Sequence, residues 1–196
     1  MIERWALVSG LKGDLDTYEL IQKDLKKTPG NITLFVLGDM IGPEKNCNRL
    51  LHRLINPKSN DLQPWCIYGW WEEQILLESG YRGDQRAEAL RINKGEEVVK
   101  SLTNAVDKSF LDWIAALQFG FVELDCGLIH GSSKDIGENL TLDTSPLTLL
   151  DRLTRLQVNR LFTARSKQQF HLELTEGIVN SEVEDLNGNR KKEQKV

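Results

Sequence analysis

Three apolar runs, "WALV" (5–8), "ITLFVL" (32–37) and "WCIY" (65–68), each end in a loop carrying glycine, and each loop opens an amphipathic segment. Uninterrupted apolar runs suit strands covered on both faces, and parallel strands need helical crossovers between them. This repeated strand–loop–helix grammar constrains the chain more than any other feature. It predicts an α/β domain whose first half is a parallel sheet. In such sheets the chemistry gathers at the carboxyl ends of the strands.

The intervening segments fit. Over 14–27, Leu15, Tyr18, Ile21 and Leu25 recur at spacings of three and four, Lys23, Lys26 and Lys27 fall in the last turn, and Pro29-Gly30 ends the helix. Over 45–55, Leu50, Leu51, Leu54 and Ile55 make one apolar side, and 70–79 opens with Glu72 and Glu73 in its first turn. Residues 86–117 read as mainly helical, closing on Phe110, Leu111, Ile114 and Leu117. The period then changes to alternation, so 119–125 and 127–130 read as a hairpin turning at Asp125-Cys126-Gly127. A helix over 145–156 starts with Ser145 as N-cap and Pro146 at its first position. Strands follow at 159–164, 169–174 and 177–183, which makes the second half of the fold mixed. Residues 1–183 read as a single domain and 184–196 as a polar, mobile tail.

Length and composition narrow the functional classes. With 196 residues the chain is long enough for one sizeable core, and its net charge of -4 argues against a general nucleic-acid or membrane-surface binder. The three cysteines (Cys47, Cys66 and Cys126) form neither a disulfide framework nor a zinc pattern. No leader or bilayer-length apolar run is present, so a reducing, cytoplasmic setting is expected.

Five strand ends offer polar groups: "SGLKGD" (9–14), "LGDMIGP" (37–43), "YGWWEE" (68–73), "IHGSS" (129–133) and "FTARSKQ" (162–168). Singly they are weak signals: Asp39 reads as a metal ligand or a turn cap, and His130 as a ligand, a base or a structural residue. Their order resembles the calcineurin-like metallophosphoesterases, particularly the small bacterial members, over about residues 5 to 174. "LFVLGDMIGP" is similar to the family's G-D-x-x-G-P loop and "GLIHGSS" to its histidine strand. "ALVSGLKGDLD", "CIYGWWEEQIL" and "VNRLFTARS" take the places of S-D-x-H-G-N, G-N-H-D/E and G-H-T-H. The resemblance implies a four-layered α/β sandwich of two mixed sheets flanked by helices, here shortened towards the C-terminus, and a two-metal phosphoesterase site.

Carried across position by position, the resemblance implies that this site is degenerate. The first-loop aspartate falls on Gly10 and the histidine on Lys12. The asparagine falls on Trp70, the catalytic histidine on Trp71, and the closing histidines on Ala164 and Ser166. Asp39 and His130 alone keep the family's metal-binding residue types. Two ligands do not hold a two-metal centre, and an ammonium at Lys12 repels a cation by about 4 kcal/mol at moderate dielectric. The expected function is therefore a pseudo-phosphatase acting as a binding or regulatory module, with no cofactor and with an unidentified protein partner.

Two alternatives stay open. In one, Asp39 and His130, helped by Asp14 and Glu72 and with His130 as the catalytic group, hold a single Mn, Fe, Zn or Ni ion in a rewired phosphoesterase. In the other, Lys12 and Arg165 bind a phosphate-bearing ligand without metal; the competing reading makes them surface charges or partners of Asp39. Trp65, Trp70 and Trp71 read as a binding surface or, for at least one of them, as a plug in the emptied cavity. Glu73 is a further carboxylate near the same sheet edge, while His52 and His171 fall outside the matched motifs.

Overall fold

The structure, a computed structural model, describes residues 3–83, 86–166, 168–175, 178–184 and 190–195. Among the expectations above, Asp84 and Gln85 after the third helix, Lys167 in the fifth loop, Gly177 at the last strand, and 185–189 and Val196 of the tail lie outside the described residues. The chain divides into two compact units, Met1–Gly120 and Phe121–Val196. Among the described residues no helix is long and apolar enough to cross a membrane.

In the first unit, β1 (Glu3–Val8), β2 (Asn31–Leu37) and β3 (Pro64–Ile67) form a wholly parallel sheet in that order. The crossovers contain α1 (Leu15–Lys27) and α2 (Asn48–Ile55). Val8 pairs with Val36 and Val36 with Cys66, so the three strands end side by side and their loops share one edge. The apolar stripes of α1 and α2 bring Tyr18, Leu50 and Leu54 onto Leu34 and Val36. Asp14 caps α1 by accepting the Thr17 N–H at 3.0 Å.

A second core lies beyond β3. It gathers α3 (Trp70–Glu78), α4 (Glu88–Lys94), α5 (Glu96–Ala105) and α6 (Leu111–Ala116) around Trp70, Trp71, Ile75, Leu90, Leu102 and Ile114. The expected long helical stretch is broken at Gly95, whose φ of 85° ends α4 before α5 begins.

β4 (Gly120–Glu123), which starts at the last residue of the first unit, joins β5 (Cys126–Ile129) and β6 (Arg160–Thr163) in one sheet, with β5 and β6 parallel across α7 (Pro146–Leu156). The turn between β4 and β5 sits one position earlier than expected. Leu124 takes the left-handed conformation (φ 55°), and the Asp125 carboxylate accepts the backbone and side-chain N–H groups of Asn159. Ser145 caps α7 on the Thr148 N–H, as its sequence indicates.

A third sheet joins β7 (Phe170–Thr175), β8 (Ile178–Glu184) and β9 (Arg190–Lys195), all antiparallel. The α/β character matches the expectation, but the described strands form three small sheets where two mixed ones were expected. The segment read as a polar tail contributes β9, whose Arg190 and Lys192 pair with acids on β8.

Candidate functional site

The three loops at the edge of the first sheet are joined mainly through their backbones. The N–H groups of Gly10, Lys12 and Gly13 donate to the carbonyls of Gly38, Asp39 and Met40 at 3.3, 3.0 and 2.7 Å. The second and third loops touch back to back: a Cβ on Gly38 would lie 2.4 Å from Gly69 Cα, and one on Gly69 would lie 2.4 Å from the Asp39 nitrogen. Only glycine at both positions permits that approach.

Glu72, at the third position of α3 and with none of its surface exposed, closes the arrangement. Its Oε2 accepts the Asp39 N–H at 2.9 Å and the Gly69 N–H at 2.8 Å, while Oε1 accepts the Ile41 N–H at 3.0 Å. Asp39 holds a left-handed backbone (φ 52°), and its Oδ1 accepts the Trp71 N–H at 3.2 Å, in the first turn of α3. Burial first, then the negative Asp39 carboxylate, push Glu72 up to about 7 against the pull of its backbone donors. Burial also pushes the Cys47 and Cys66 thiols up to about 11 and about 12, and the charge of Glu72 adds to both shifts.

The other candidates in this unit are committed in different ways. Asp14 is the α1 cap and meets Lys45 Nζ at 2.6 Å, which holds its carboxyl below the usual range. Lys12 is exposed, and the foot of its side chain lies over Gly42. Trp70 and Trp71 stack edge to face, 4.8 Å between centroids, and are 9% and 8% exposed, so both indoles are core groups with little surface to offer a partner. Trp65, by contrast, is 56% exposed. Glu73 is half-buried beside Glu72 in the first turn of α3.

In the second unit His130 is fully buried, and its carbonyl accepts the N–H groups of Ala164 and Arg165, both at 2.8 Å. The fourth and fifth loops therefore meet. Arg165 is half-buried, and Ser166 folds its hydroxyl onto the Gln168 carbonyl. Next to His130, Ser132 donates to Glu138. Glu138 takes both Nε and Nη2 of Arg152 at 2.7 Å. The Arg152 guanidinium first, with Ser132 helping, holds the Glu138 carboxyl down at about 2 against its partial burial. His52 and His171 are exposed.

Sequence reasoning placed Glu72 as a possible metal helper or a first-turn acid and missed its clamp. The signal was the Gly69-to-Glu72 spacing, which is that of a capping box. The Glu138–Arg152 pair, 14 residues apart, left no local pattern. These residues do not fit a two-metal centre. Glu72 and Asp14 are engaged by N–H groups or an ammonium, and among the described residues no three His, Cys, Asp or Glu side chains converge in a way that would hold a metal ion.

No protein-family model and no curated protein sequence matches the chain. Among solved structures it is similar to a metallophosphoesterase from Sphaerobacter thermophilus, with 15% identity and a TM-score of 0.54. The match covers 81% of this chain and 58% of that one, so the chain spans less than two thirds of its neighbour's length. The likeness is one of fold.

Proposed function

We propose that this chain is a catalytically degenerate metallophosphoesterase-like protein that works as a binding or regulatory module. The observation that carries the reading is the engagement of Glu72: a buried carboxylate beside Asp39 spends both oxygens on three backbone N–H groups at 2.8–3.0 Å. A carboxylate so occupied has little to give a cation, and Gly10, Lys12, Trp70 and Trp71 supply no ligand in its place. The family's hydrolysis depends on metal-activated hydroxide and a cationic clamp on the phosphoryl oxygens.

Elemental analysis of the purified protein, paired with hydrolysis of a generic aryl phosphate and diester, tests the reading. The expected result is substoichiometric metal and no turnover that Asp39→Asn abolishes. Stoichiometric Mn, Fe, Zn or Ni that is lost in Asp39→Asn, or turnover that the same substitution removes, overturns it in favour of a rewired phosphoesterase. A rise in melting temperature with inorganic phosphate, present in the wild type and absent in Lys12→Ala, would instead favour a metal-free anion binder.

A further inference from the structure

We propose that Glu72 is a built-in anionic ligand, an internal strap whose carboxylate fills a backbone N–H nest shared by the β2–α2 loop and the β3–α3 corner. The donors come from two separate segments, Asp39 and Ile41 on one side and Gly69 on the other. Backbone N–H groups aimed at one point, here not successive in the chain, make a concavity suited to an anion. Here the anion is the chain's own: the side chain reaches the nest from the third position of α3 and has no exposed surface. Gly69 makes room for it, since a Cβ there would lie 2.9 Å from Glu72 Oε2 and 2.8 Å from Asp39 Oδ1.

The strap does by hydrogen bonding what a cation bridging the two loops would do by coordination. Through the Asp39 N–H it also holds that residue in its left-handed backbone, which is uncommon for a side chain other than glycine. Loop order at the sheet edge is thus independent of any metal or external ligand. The inference goes beyond the functional proposal and does not depend on it, because the strap would order the loops of an active enzyme equally well.

Chemical rescue tests it. Glu72→Ala leaves three orphaned donors around a carboxylate-sized hole, and its melting temperature is expected to fall by about 5 °C or more. Tens of millimolar formate should recover much of that loss in the variant by occupying the nest, while leaving the wild type unchanged. Chloride at equal ionic strength is the control. A variant that melts with the wild type, or a formate effect no larger than that of chloride, overturns the proposal. If Glu72→Ala does not fold in any of these buffers, amide exchange in Glu72→Gln decides. The strap predicts faster exchange at Asp39, Ile41 and Gly69 with β2 unchanged, and unaltered protection at those three amides sinks it.

Discussion

Glu72 in the first unit and Glu138 in the second each join separate stretches of chain through a carboxylate, but their partners differ in kind. Glu72 is met by three neutral backbone N–H groups, and Glu138 by the guanidinium of Arg152 and the hydroxyl of Ser132. Backbone dipoles orient a carboxylate without cancelling its charge, so burial and the neighbouring Asp39 push Glu72 up. A guanidinium cancels the charge, and Glu138 goes down. The same side chain is therefore a poorly compensated negative centre in one region and an ordinary ion-pair staple in the other. The edge where the three loops of the first sheet meet carries the poorly compensated one.

The sharpest break in this comparison comes from one glycine in each unit, chosen for what its added Cβ would meet. Gly69→Ala should cost more than about 4 kcal/mol in unfolding free energy, because its Cβ would meet backbone and the two carboxylates at 2.4–2.9 Å. Gly127→Ala in the second unit meets the tips of Leu156 and Leu161 at 2.9 and 3.0 Å, which can swing aside, so about 1–2 kcal/mol is expected. Denaturant melts of the two variants give the ranking directly, and equal losses would mean that the loop contact is not rigid.

Next in size is the staple. Arg152→Met leaves Glu138 without its cation and should cost about 2–3 kcal/mol, less than a fully buried pair because the Glu138 side chain is 26% exposed. Glu138→Gln should cost less than Arg152→Met, since the guanidinium keeps a second acid, Asp151. A double-mutant cycle between positions 138 and 152 measures the pair, and a coupling near zero would make it a surface contact.

Most of the strand–helix order, the three loop ends and their convergence were legible, because apolar period and glycine position act locally. The split of 86–117 at Gly95 and the shift of the hairpin turn to Leu124 were not, since both depend on backbone conformations that the side chains alone do not announce. Of Trp65, Trp70 and Trp71, the sequence left open which are buried; the structure buries Trp70 and Trp71 and leaves Trp65 exposed. The roles of Glu72 and Glu138 did not follow, because each is defined by partners in distant segments: residues 31 and 33 positions away for Glu72, and 14 for Glu138. β9 escaped notice because its charges, solvated in isolation, find acids only when β8 is beside them.

The two carboxylates should also leave opposite marks on the pH dependence of stability. Glu72 sits at about 7 in the fold against an ordinary value of 4.5, so ionising it costs the fold: stability is highest below 4.5, falls as pH rises through 7 and levels off above, where the strap is fully anionic. Glu138 sits at about 2 against 4.5, so its contribution is present above 4.5 and is lost as pH falls through 2. Each loss is on the order of 2 kcal/mol. Unfolding free energies between pH 3 and 8 should flatten above 4.5 in Glu72→Gln and below 4.5 in Glu138→Gln. If Glu72→Gln keeps the wild-type slope above 4.5, some other group sets it.

The smallest effect is expected at Lys12, and it is the one that asks whether the first region has an Arg152 of its own. The Lys12 side chain is exposed, its foot rests on Gly42, and its backbone N–H, at 3.0 Å from the Asp39 carbonyl, is what links it to the second loop. Lys12→Met removes the ammonium but keeps the stem and that N–H, so stability should change by less than about 0.5 kcal/mol and show little dependence on salt. Were the ammonium compensating Asp39 as the guanidinium compensates Glu138, the loss would approach that of Arg152→Met and shrink as salt is added. That outcome would make the two regions alike, with a cation standing at the loop edge in both.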